Sequence, residues 1–432
     1  MEFEEDTMVV LEVNPASGWF FKEWLGDDKD DVSNNNGEWK ILMNGYKEIT
    51  AYFMEEADIT VNPILPITTS NFHVIQNAIQ AANNGDVIEV AEDTYCENVN
   101  ITSKSFTLRS TNPLDPAVRD ATIIDGGANN SVIVYFNNAG GCLKGFTIQN
   151  GNASDGGGIY IHTSSPIIEY NNIITNESEM GGGINNAYSS SIIRYNKISN
   201  NEATNTSSEG CGGGIFNYDS DSEIYENEIT YNDADNLGGG IFVERTDATV
   251  IEENIINHNM ANYGGGIYIV SCSPTVNKNW IEANDSIIGG GIGIHAYNTT
   301  DSALPVISDN YLYENWAELC GGGIYINQSF PEIYGNSIWY NESYSHGGGI
   351  GLENSSEPII YNNSIQNNEA DGDEDSSGFG GGIFVDSTCE VKDAGGTYWP
   401  RDNNPPNDEP NNTYDGNTHS SGDGADVFFE ND

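Results

Sequence analysis

Gly264-Gly-Gly-Ile-Tyr-Ile-Val270, followed by Thr275-Val-Asn-Lys-Asn279-Trp-Ile-Glu-Ala-Asn284, is one period of a pattern that runs through most of the chain. The Gly-Gly-Gly-Ile run occurs nine times, beginning at Gly156, Gly181, Gly212, Gly238, Gly264, Gly289, Gly321, Gly347 and Gly380, at intervals of 25 to 33 residues. Between runs comes Asn-x-(Ile/Leu)-x-x-Asn, whose first asparagines are Asn171, Asn196, Asn227, Asn254, Asn279, Asn310, Asn336 and Asn363. The second asparagines are Asn176, Asn201, Asn232, Asn259, Asn284, Asn315, Asn341 and Asn368. Ile or Val stands three residues before each first asparagine, from Ile168 through Val276 to Ile360. A fixed period of this length marks stacked repeats.

Each period has three apolar spots, too short for helices but long enough for strands of a few residues. Three strands and their turns close one coil, and the next coil sits ~4.8 Å above it, paired by backbone hydrogen bonds. Like residues then stack on like. Inward isoleucines form the core, asparagines at the turns bond to the coils above and below, and glycines take the bend that a β-branched residue could not.

On these motifs the chain resembles the right-handed parallel β-helix proteins of microbial surfaces. Its GGGI and IxxN alternation is similar to the GGAI and FxxN repeats of polymorphic outer-membrane proteins. The resemblance runs from about Phe72 to the C-terminus. It implies an all-β, right-handed, three-sided parallel β-helix, and it says little about activity, because the fold carries adhesins, lyases, hydrolases and inert scaffolds.

Composition narrows the partners. Against 66 Asp and Glu there are 14 Lys and Arg, a net charge of −52. Nucleic acid, anionic membranes and unbridged polyuronates are repelled by such a surface, whereas divalent cations or a salty habitat suit it. No stretch approaches a membrane span, and the start of the chain does not read as a signal peptide. The six cysteines read as small core or turn residues. Cys211 and Cys320 share a column but lie four coils apart, roughly 19 Å at the strand spacing and beyond disulfide reach.

In chain order, residues 1–57 read as a small β module of alternating strands, with Trp19, Trp24 and Trp39 as its core in preference to a sugar-binding set. It resembles part of an internalin-type B repeat, and lacks the strand that usually precedes the matched part, so an upstream extension of the natural protein is expected. Residues 58–71 read as a linker. Residues 72–155 hold a capping helix over Phe72 to Ala82, with Ser70 or Asn71 as its cap and Ile75, Ala78, Ile79 and Ala82 on one face, followed by irregular first coils. The regular coils span 156–390. Insertions before Gly212, after Ile294 and before Gly380 mark loops, and 391–432 reads as a C-terminal cap with a final strand near Phe429.

Four sets of residues are candidates for function. Alternation places outward the residue after each GGGI isoleucine: Tyr160, Asn185, Phe216, Phe242, Tyr268, Gly293, Tyr325, Gly351 and Phe384. Within that column Phe216, Phe242 and Tyr268 form an aromatic stripe. A second group, Trp280, Tyr311, Tyr313 and Trp339, lies on three adjacent coils. Aromatic faces on a rigid surface suit sugar stacking or a protein partner, and the same rings also stabilise a sheet by cross-strand pairing.

Glu353 and Asp386 occupy one column on adjacent coils, as the paired carboxylates of a hydrolase would. A lyase needs a basic cluster, and from Gly156 to Glu390 only Arg194, Lys197, Arg245 and Lys278 are basic. Asp371, Asp373 and Asp375 group the oxygens that Ca²⁺ prefers, without the spacing of an EF-hand. The expectation is an extracellular or cell-surface structural or adhesive solenoid that binds a polysaccharide or another surface protein, with Ca²⁺ as the one candidate cofactor. The alternatives are a polysaccharide-degrading enzyme and a filament subunit that assembles with itself.

Overall fold

The computed structural model describes residues 6–35, 38–127, 131–204, 210–246, 248–297, 304–370, 379–399, 412–415, 417–419 and 427–429. One coil consists of Ile267–Val270, Thr275–Asn277, Trp280–Glu282 and Asp285–Ile288. Each strand pairs in parallel with its counterparts one coil away, so that Ile267 lies between Ile241 and Ile292. Repeated through the molecule, this makes four sheets of twelve, thirteen, twelve and ten strands, called here first to fourth in the order of that coil.

The first three sheets are the three expected faces. A fourth ladder joins them, and its residues gave little apolar signal. Its inward column carries Ala203, Ala234, Ala261, Ser286 and Ala317, all buried, whose small side chains fit between this face and the glycine bend. Such a strand reads as a polar loop.

The core is a set of isoleucine columns. Ile251, Val276 and Ile307 stack on the second sheet, and Ile256, Ile281 and Leu312 on the third; all are fully buried. Burying each such side chain stabilises the fold by ~1.5–3 kcal/mol. The glycines act as expected. Gly264 has φ of +64°, and a Cβ on Gly265 would strike the carbonyl oxygen of Asp285 on the next coil. Less expected, the residue before each ladder asparagine is also left-handed, with φ of 52° at Lys278 and 51° at Ala283.

Both asparagine columns form continuous ladders. The Asn254 N–H donates to Asn279 Oδ1 at 3.0 Å, while Asn254 Nδ2 donates to that oxygen at 3.0 Å and to the Ile224 carbonyl at 2.8 Å. The ladders thereby satisfy backbone groups at buried turns and hold the left-handed residues in place. They continue to Asn412 and Asn417, which accept from the N–H groups of Asn363 and Asn368.

The N-terminal end departs from expectation in three places. Helix α1 spans Ile75–Ala81 and buries Ile75, Ala78 and Ile79 over the first coil, as a cap should. Its cap is neither Ser70 nor Asn71: Asn71 lies in a short strand, and the Glu97 carboxylate accepts from the N–H groups of Ile75 and Gln76 at 2.8 and 2.9 Å. Ile59–Val61, within the stretch read as a linker, pairs with Val87–Val90 and so belongs to the second sheet. A second helix, α2, spans Pro116–Ala121 behind the cap residue Asp115.

The small module has a three-stranded sheet of Thr7–Leu11, Glu38–Met43 and Val32–Asn35 and a pair formed by Trp19–Leu25 and Thr50–Glu55. Phe21, Trp24 and Trp39 pack together with centroids 5.2 to 6.2 Å apart, whereas Trp19 is exposed. Trp19 is therefore not a core residue. The module is tied to the coils by Arg109, which donates to the Glu55 carbonyl at 2.6 Å and pairs with Glu89 at 2.8 Å. At the other end Thr413–Asp415, Thr418–His419 and Val427–Phe429 add one more coil.

Candidate functional site

The third sheet presents the tryptophan group. Trp280–Glu282, Tyr311–Tyr313 and Ser337–Trp339 lie side by side, with Ile281, Leu312 and Ile338 buried at their centres. Alternation turns the flanking residues outward. The register then sets Trp280 beside Tyr311 and Tyr313 beside Trp339.

Ring centroids are 4.2 Å apart for Trp280 and Tyr311, 5.4 Å for Tyr311 and Trp339, and 5.7 Å for Tyr311 and Tyr313. Trp280 is the most open of the four, at 44% exposed. Its indole N–H donates to Glu282 at 2.7 Å, and that of Trp339 to Ser364 Oγ at 2.9 Å, which fixes both rings. A hydrogen bond to Glu314 pushes the Tyr313 hydroxyl up to about 12, and burial raises that of Tyr311. Both phenols therefore stay protonated and able to donate at neutral pH. Tyr340 adds an edge-on ring 5.5 Å from Tyr313, and exposed Ile255 extends the Trp280 column by one coil. Sequence reasoning missed both; the aromatic residues that repeatedly precede a second asparagine, Tyr231 and Tyr340, were the available signal.

The other stripe is not a surface. Phe216, Phe242 and Tyr268 stack with centroids 5.1 and 6.4 Å apart, but they are 7%, 1% and 5% exposed. The glycine bend is re-entrant, so the end of the fourth sheet folds back over the first. Cys211 and Leu237 cover the rings as a roof. Further along, Cys320 packs with Tyr325 and Phe384 in the same way.

Glu353 and Asp386 follow the paired residues Leu352 and Val385 and so lie on adjacent coils. Each already has a structural partner. Glu353 accepts from the buried Tyr325 hydroxyl at 2.9 Å, and Asp386 accepts from the Thr388 N–H at 2.7 Å. Asp371, Asp373 and Asp375 lie outside the described residues, among which no group of three or more His, Cys, Asp or Glu is placed to hold a metal ion. The basic residues are also engaged: Arg194 with Glu169 at 2.7 Å, Lys197 with Glu228 at 3.3 Å, Arg245 with Glu244 at 3.7 Å and Lys278 with Glu252 at 2.8 Å.

The family model described as a right-handed beta helix region matches residues 132–304 and 289–395. The chain belongs to the right-handed β-helix family. No curated protein matches it, and neither does any solved structure. The matched part of this right-handed β-helix includes the whole aromatic cluster and the Glu353 and Asp386 column, and it leaves out the N-terminal module. Chemically, the cluster offers a right-handed β-helix a fixed apolar platform edged by acceptors, which suits stacking on a ring that carries hydroxyl groups.

Proposed function

We propose that this right-handed β-helix is an extracellular or cell-surface protein of structural or adhesive role, and that it binds a neutral glycan through Trp280, Tyr311, Tyr313 and Trp339. The observation that carries the reading is the contiguous aromatic platform, held by indole hydrogen bonds on three coils whose backbone cannot shift without breaking the ladders. A neutral ligand follows from the charge of −52, which repels polyanions.

The test is a glycan array on the purified chain, with and without Ca²⁺, followed by chromatography of each retained glycan. Retention of intact glycan, lost in Trp280→Ala and Trp339→Ala, is the expected result. Release of fragments would replace the reading with a degradative enzyme. No retention, together with end-to-end assembly in solution, would leave a filament subunit.

A further inference from the structure

Along the re-entrant corner two columns face each other. One holds the residues just before the glycines: Asp155, Met180, Cys211, Leu237 and Tyr263 in register. The other holds Tyr160, Asn185, Phe216, Phe242 and Tyr268. From Cys211 onward both are apolar or aromatic and close on each other. On the coils of Gly156 and Gly181 the pattern breaks, with a carboxylate in one wall and a carboxamide in the other. The seam opens there into a cleft of about 280 Å³.

The polar groups of this cleft are incompletely matched. Asn185 is 2% exposed; its Nδ2 donates to Asp155 Oδ1 at 3.4 Å, which sets the orientation of the amide, and its Oδ1 has no partner among the described residues. Asp155 is half-buried, and no Lys or Arg among the described residues pairs with it; its charged or titratable neighbours are Glu179 and His162. The other walls are rings. Tyr188 stands perpendicular to Tyr218 with centroids 5.5 Å apart, and Tyr160 and Phe216 complete the enclosure; Tyr160 stacks on Tyr135 at 5.2 Å, and the His162 ring packs 5.8 Å from Tyr160 and 5.7 Å from Tyr188. Arg245 lies over the Tyr218 ring, 5.4 Å from its centroid, so that ring already accepts a cation.

We propose that this cleft is a binding site for a compact organic ammonium ion, held against the rings of Tyr160 and Tyr188 that line it and neutralised by Asp155. Aromatic faces attract such cations through their quadrupole, and a neighbouring carboxylate adds a charge partner. A net charge of −52 concentrates cations at the surface. A metal ion fits poorly, because the walls are mostly apolar and Ca²⁺ takes about 6–8 oxygens. A neutral sugar could use Asp155 as a hydrogen-bond acceptor but would leave its charge unneutralised. The site is independent of the glycan platform, which lies on other coils and another sheet.

Isothermal titration of the full chain with choline chloride tests the site, with 3,3-dimethyl-1-butanol as the neutral isostere. Saturable choline binding is expected, weakened about tenfold by the neutral isostere, by Asp155→Asn and by high salt. Tyr188→Asn is a second variant. It removes one ring at an exposed, left-handed position that Asn tolerates, so folding is retained, and it should weaken choline by a similar factor. Sedimentation with phosphatidylcholine vesicles distinguishes a lipid headgroup from a free solute: binding that requires Asp155 assigns the headgroup, and its absence alongside choline binding assigns the free ion. The proposal is overturned if choline gives no saturable heat, if the isostere binds equally well, or if both variants bind choline like the parent chain.

Discussion

Asn254 sends two N–H groups, one from its backbone and one from its side chain, to the single Oδ1 of Asn279, each at 3.0 Å. One oxygen therefore satisfies two donors that lie beyond the reach of water. Asn279 also donates to the Ile251 carbonyl at 2.8 Å, so the residue closes a turn on both of its sides.

Asn279→Ala strands these groups. Each buried donor left without a partner costs ~1–3 kcal/mol, so the variant should lose roughly 3 kcal/mol or more of stability in urea titration. A loss below about 1 kcal/mol would mean that water or a neighbouring turn replaces the ladder.

The glycine corner makes a sharper demand. Gly265→Ala places a methyl group against the Asp285 carbonyl, a backbone atom that cannot swing aside. The variant should be recovered largely insoluble or with a melting temperature many degrees lower. Gly45→Ala meets nothing within 4 Å and serves as the near-neutral control.

Buried and exposed aromatics separate in a paired experiment. Phe242→Ala should cost ~3–5 kcal/mol by opening a cavity in the seam, without altering glycan retention beyond its effect on folding. Trp280→Ala should leave the melting temperature nearly unchanged and abolish retention. If Phe242→Ala is as stable as the parent chain, the seam is not a second core.

The fourth sheet stacks Glu177, Glu202 and Asp233 on consecutive coils, and Glu342 beside Glu369. Partial desolvation, then neighbouring carboxylates, raises the half-buried Asp233 and Glu342 and the more exposed Glu202 above their usual 3.8, 4.5 and 4.5, and partial desolvation raises Asp285, whose side chain is also exposed. A carboxylate raised in the folded state favours the protonated form there. Its destabilising effect is absent below the unfolded pKa and complete above the folded one, so stability falls as pH rises through that window. Melting temperature should accordingly be higher near pH 5 than at pH 7, and added salt should narrow the gap. Glu202→Gln should flatten the dependence; an unchanged or steeper one would assign it to other groups.

Glu97 caps α1 from 21 and 22 residues away in sequence. Glu97→Ala should cost ~1–2 kcal/mol and expose the first coil, measured as faster amide exchange over Ile75 to Ala81. Unchanged exchange would mean that packing alone holds the helix.

The repeat was legible because stacking imposes it. A ladder residue is useful only if the coils above and below carry the same group, so Asn259, Asn284 and Asn315 recur in the text as they do in space. The last coil was harder to see. Asn412-Thr-Tyr-Asp-Gly-Asn417 repeats the asparagine spacing, but tyrosine stands where isoleucine was sought, and 49 residues separate Asn412 from its partner Asn363. For the candidate site, the outward placing of the Trp280 group was legible because side-chain alternation on a flat sheet depends on local geometry alone.

Sequence alone determined the coil, its inward columns and its two ladders, since these follow from short-range periodicity and from the hydrogen-bonding capacity of one residue type. Tertiary structure alone decided which outward residues reach solvent. Phe242 and Trp280 both point away from the main core, yet the glycine corner folds one face onto another, buries the first and leaves the second open. That outcome depends on the angle between faces, which no single repeat encodes. The same angle, with Asp155 and Asn185 in place of apolar residues, opens the cleft at the N-terminal coils.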